Sequence, residues 1–117
     1  MLIERIFYSK STIRGKVTRI ENQIKRLLKS EYQAKSWIFL NGTLDFDPEF
    51  VTFWICVKSD EQKNRLKSDS QLMKKLWSLL IQYDYPMTSD DHVYFDFESD
   101  ETIKRESRGN WWVHFKK

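Results

Sequence analysis

A single cysteine, Cys56, rules out an internal disulfide framework and fits a reducing compartment. Two prolines and three glycines in 117 residues leave little material for flexible linkers. The sequence therefore reads as one domain, residues 1–117, dense in regular elements and long enough to bury a core without a metal or disulfides. No apolar run reaches spanning length, and MLIERIFYSK at the start is interrupted by Glu4 and Arg5, so neither a signal peptide nor a membrane span is expected and a cytoplasmic location is. No Gly-rich phosphate loop, HExxH or GxSxG occurs. The reading is thus of a non-enzyme with no cofactor and no bound metal.

Aromatics, by contrast, are plentiful: 15% of the chain, with five Trp. Phe50–Lys58 (FVTFWICVK) alternates and holds neither Gly nor Pro, as a central strand does. Val51, Phe53, Ile55 and Val57 would face a core under helices, and Thr52, Trp54, Cys56 and Lys58 the other side. Before it, Trp37–Asn41 predicts a strand ending at the turn signal Asn41-Gly42, so 36–58 is a hairpin. Asp45, Asp47 and Glu49 in its connection lack the ligand order of a calcium loop.

Ile3, Ile6, Ile13, Val17, Ile20, Ile24 and Leu27 form one apolar stripe at helical spacing and predict a helix from about 2 to about 33. A break at Ser9–Thr12, with Ser11 capping, is the alternative. It would free residues 2–8 as a strand and give the ferredoxin-like order β-α-β-β-α-β plus one strand. The seam-like stripe also suits a second copy of the chain. Ser59–Gln62 has capping-box spacing and opens a second helix, with a restart near 69 and an end at Tyr85-Pro86. Leu66, Met73, Leu76, Trp77 and Leu80 would be its buried stripe, widened by Leu72, Leu79, Ile81 and Tyr83. His92–Glu98 and Asn110–Phe115 alternate and predict two closing strands around a charged segment with room for a helical turn. The fold expected is α+β: a four-stranded, mainly antiparallel sheet with two helices on one face, in the order α-β-β-α-β-β.

Charge is unevenly spread. Residues 10–35 carry eight Lys and Arg against two Glu, and residues 84–101 carry seven Asp and Glu with no Lys or Arg. Such a split can tie two parts of the fold together or simply mark two solvated surfaces.

Two candidate binding surfaces follow. One is the sheet face away from the helices, collecting Trp54, Tyr94, Trp112, His92 and His114, with Asp96 and Glu98 among them. Exposed rings of this kind anchor protein interfaces. The other is the basic side of the first helix, with Arg19, Lys25, Arg26 and Lys29. The function expected is binding of another macromolecule by an inhibitor, immunity or adaptor type of protein, as a homodimer. A single-stranded nucleic-acid-binding domain is the alternative, since rings can stack bases and cations track phosphates. Cys56, His92 and His114 share a predicted face and are zinc-type ligands, but without short-loop spacing they define no metal site.

Overall fold

The computed structural model describes residues 12–42, 48, 50–87 and 92–115. The elements run α1 (Ile13–Tyr32), β1 (Trp37–Gly42), β2 (Phe50–Val57), α2 (Asp60–Lys67), α3 (Ser70–Gln82), β3 (His92–Ser99), α4 (Asp100–Ser107) and α5 (Trp111–Phe115). The mixed α+β character and a long helix near the start follow the sequence. The expected four strands are not seen, because among the described residues the sheet has three strands in the order β1-β2-β3.

β2 is central, and its parity is the expected one. Val51, Phe53, Ile55 and Val57 are buried, with Phe53 and Ile55 wholly so. β1 pairs with it antiparallel, Leu40 opposite Phe53, and Gly42 ends that edge opposite Val51. Gly42 sits at φ +138, and a Cβ there would lie 2.5 Å from the Phe50 carbonyl oxygen, so no other residue fits without a backbone shift. β3 pairs with β2 in parallel, Phe53 opposite Phe95, which corrects the expectation of a mainly antiparallel sheet. The reason lies in the connection. α2 and α3 form a helical crossover long enough to return the chain to the same end of the sheet.

The helices α1 and α3 cover one face. Ile20, Ile24 and Leu28 of α1 and Leu72, Leu76 and Leu80 of α3 are wholly buried in a cluster with Phe53, Ile55 and Phe97. Burying each of these aliphatic side chains contributes about 1.5–3 kcal/mol. Leu27 and Leu79 are only partly covered, and Ile81, expected in the widened stripe, is 72% exposed.

Caps set the helix limits. Thr12, in extended conformation, accepts the Gly15 N–H at 3.0 Å and starts α1 at Ile13. This corrects the unbroken helix from residue 2 and matches, one residue on, the alternative break. The fate of residues 2–8, and of the seam at Ile3 and Ile6, lies outside the described residues, as does the Asp45–Glu49 loop beyond Pro48. Ser59 and Gln62 close the capping box of α2. Asp69 then caps α3, taking the Gln71 and Leu72 N–H groups at 3.0 and 3.1 Å, which is the restart expected there.

Residues 110–115 are the clearest misreading. Trp111–Phe115 among them form the short helix α5, not a fourth strand. Arg108, in the left-handed region, ends α4, and Gly109 follows at φ +81. The Asn110 side chain then accepts the Val113 N–H at 3.0 Å, as an N-cap does. Trp111, His114 and Phe115 stand at the i, i+3, i+4 spacing of one helix face. The alternation of rings masked that second period.

Candidate functional site

Three groups of side chains stand out: a buried polar clasp, the second face of the sheet and the outer side of α1.

The clasp is built on Glu98, at the end of β3 and largely buried. Its Oε1 accepts Lys63 Nζ at 3.0 Å and the Ser99 N–H at 2.9 Å, and its Oε2 meets His114 Nε2 at 2.9 Å. His114 Nδ1 in turn lies 3.0 Å from Ser107 Oγ. Burial pushes the Glu98 pKa up, but the Ser99 N–H, the Lys63 ammonium and the His114 ring outweigh it and hold the carboxyl below its usual range. Beside it, Asp60 accepts Ser99 Oγ and Thr102 Oγ1, each at 2.6 Å, and Arg105 Nη1 at 2.8 Å, which also depress its pKa. The order serine, imidazole, carboxylate is that of a hydrolase triad. Ser107 is only 8% exposed, however, and Lys63 already holds the carboxylate. The network joins α2, β3, α4 and α5, and every member has its partner.

Cys56 lies next to this clasp, paired across strands with Glu98. Its thiol is buried, and burial first, then the Glu98 charge, push its pKa up to about 12, so it is no nucleophile at neutral pH. His114 thus comes near Cys56 through Glu98, while His92 is at the far end of β3. Among the described residues, no three His, Cys, Asp or Glu side chains gather as metal ligands.

The second face of the sheet is divided. At one end α5 lies over it: Phe115 packs 4.8 Å from Trp54 and 5.0 Å from Phe39, and Trp111 packs 5.3 Å from Trp37. Trp54 is therefore half-buried against its own chain, with its indole N–H buried and unbonded. Toward the other end Tyr94 is 53% and Phe50 50% exposed, while Phe39, though stacked on Phe115, keeps 42% of its surface exposed at the β1 edge. A shallow recess there is lined by Asn41, Thr52, Phe50 and Tyr94. Of the rings expected together, Trp54 and Tyr94 do share this face, two rows apart. The side chains of Trp112 and His92 lie outside the described residues.

The outer side of α1 carries the expected cations. Lys25, Arg26 and Lys29 are exposed and Arg19 is half-buried, all opposite the buried stripe. Lys25, Arg26 and Lys29 border two grooves. One, of about 770 Å³, runs between α1 and α3 and is lined by Arg26, Leu27, Lys29, Lys75, Ser78 and Leu79 among others. The second, of about 620 Å³, lies at the end of α1 among Lys25, Lys29, Gln33 and Lys35. Lys29 borders both. Helical spacing along α1 marks these cations in the sequence; the grooves depend on the packing of α3, and no periodicity marks Lys35 or Lys75.

The charge split is satisfied unevenly. In the acidic segment Asp84 meets Lys16 of α1, but Asp96, Glu98 and Asp100 meet Lys67, Lys63 and Lys104 from α2 and α4. Lys75 of α3 pairs with Glu31 at 2.5 Å. Arg19, Arg26, Lys29 and Lys35 have no ion pair among the described residues.

No protein-family model, no curated protein and no solved structure matches the chain. The fold and these surfaces define it only as a small α+β protein with a basic helix face and a half-covered aromatic sheet face. Among the described residues, no helix is long and apolar enough to cross a membrane.

Proposed function

We propose that this is a non-enzymatic binding protein of the inhibitor, immunity or adaptor kind, which engages a negatively charged macromolecular partner along the outer side of α1. One observation carries the reading. Among the described residues, Glu31, Asp60, Asp84, Asp96, Glu98 and Asp100 pair with nearby lysines and arginines, while Arg26, Lys29 and Lys35 border two grooves with no ion pair of their own. Surplus charge of one sign beside concave surface is what electrostatic complementarity with a partner requires. A protein partner is favoured over single-stranded nucleic acid. Among the described residues the lining of the two grooves contains no aromatic ring, and the half-exposed rings Tyr94 and Phe50 belong to the opposite side of the sheet. A base-stacking platform needs rings and cations on one path.

The test compares capture by the tagged wild-type protein with capture by a triple variant, Arg26→Glu, Lys29→Glu and Lys35→Glu. A specific partner should be retained by the wild type in low salt, released as salt rises, and missing from the variant. Identical protein sets from both would refute the reading. Oligonucleotide binding that disappears in the variant would replace the protein partner with nucleic acid. A homodimer is part of the same proposal, supported by the apolar area that the half-exposed Tyr94 and Phe50 rings still present. Light scattering should give twice the 14.3 kDa chain mass, and a monomer at all concentrations removes that part.

A further inference from the structure

The larger groove differs from a merely basic surface in its floor. Leu27 of α1 and Leu79 of α3 are only partly covered by the core and lie at its base, with Ser78 on one wall. Arg26 and Lys29 stand along the α1 side, and Lys75 stands on α3, held by Glu31. A channel between two helices with aliphatic side chains below and cations along the rim has the complement of an amphipathic helix: apolar residues on one face, acidic residues beside them. A phosphate backbone would use the rim but gain nothing from the two leucines. An apolar segment without charge would leave Arg26 and Lys29 unmatched.

We infer that the groove between α1 and α3 is the docking site for an acidic amphipathic helix of the partner, its apolar side chains on Leu27 and Leu79 and its carboxylates on Arg26 and Lys29. The inference rests on the reading of α1 as the binding face. Lys75 would exchange its intramolecular bond to Glu31 for one to the incoming segment, so the site is held neutral on that side until it is filled.

The test uses a fluorescein-labelled peptide of about 20 residues with Leu at i, i+3, i+4 and i+7 and Glu around them, a scramble of equal composition, and single-stranded and duplex oligonucleotides of similar charge. Fluorescence anisotropy should show the patterned peptide binding about tenfold or more tightly than the scramble, a difference of about 1.4 kcal/mol. Leu79→Ala should weaken the patterned peptide and leave the scramble unchanged. Ser78→Glu, at an exposed wall position that does not disturb the core, should weaken both, as should Arg26→Glu with Lys29→Glu. Equal binding of pattern and scramble overturns the inference, as does a Leu79→Ala or Ser78→Glu protein, folded by circular dichroism, that binds as the wild type. Oligonucleotide binding lost on charge reversal, with no peptide binding, overturns it while leaving the basic face as a binding surface. Absence of binding by every probe overturns both.

Discussion

Single residues in this fold are fixed by their surroundings more than by their type. Cys56 illustrates it. A lone thiol one strand from a histidine-bearing cluster invites a catalytic or metal reading, yet its neighbours are apolar side chains and a carboxylate, and its pKa is pushed up to about 12. At pH 8 the native protein should therefore leave Cys56 unmodified by a thiol reagent, and modification should follow unfolding in urea; rapid native labelling would contradict the burial. Tyr32 is raised to about 12 in the same way, by burial, then by its hydrogen bond to Asp69 and the charges of Asp69 and Glu31. That bond ties the end of α1 to the cap of α3, so one carboxylate serves two helices. Most of this residue-level chemistry was illegible in the sequence. The parity of β2 told which residues turn inward, but not that Glu98, on the other face, would find Lys63, His114 and the Ser99 N–H within 3.0 Å.

At the scale of elements, the reading succeeded where one period acted alone and failed where two coincided. The α2–α3 break and the hairpin each have a cap or a turn pointing one way, whereas at the start of α1 the stripe runs on toward residue 2 and the Thr12 cap sets the limit at Ile13. Trp111–Phe115 satisfied both alternation and the i, i+4 spacing, and the Asn110 cap decided for helix. Strand direction was also hidden, because a buried strand reads alike in parallel and antiparallel pairing; only the length of the α2–α3 connection carried that information. The aromatic surface was consequently overestimated, since α5 covers one end of it. Phe115→Ala should uncover Trp54 and Phe39, shift the tryptophan emission to the red and cost about 3–5 kcal/mol at most, with less expected for a half-buried ring. An unchanged spectrum would mean that α5 does not shield the indole.

For the whole molecule, the distribution of charge links stability to pH. Asp60, Asp69 and Glu98 all have carboxyls held below their unfolded values, chiefly by hydrogen bonds, with burial opposing at each. Such groups stabilise the native state fully above the unfolded carboxylate pKa of about 4, and the stabilisation is lost as the pH falls through their folded values. Glu21, raised by burial, acts in the opposite direction. The urea midpoint should be nearly flat from neutral pH to about 5 and then drop, and Glu98→Gln should lower the plateau and shorten the drop. A midpoint unchanged down to about pH 3 would disprove the carboxylate network as a source of stability.

The unlike partners of β2 have one more consequence. On the ribosome, β1 and β2 emerge side by side and can zip at once. The other margin of β2, rich in rings and bare of hydrogen-bonding company, must wait until α2, α3 and β3 have been synthesised. During that interval the nascent chain offers a sticky template to any passing extended polypeptide, so yield in the cell should depend on how quickly translation carries it across Asp60–Gln82.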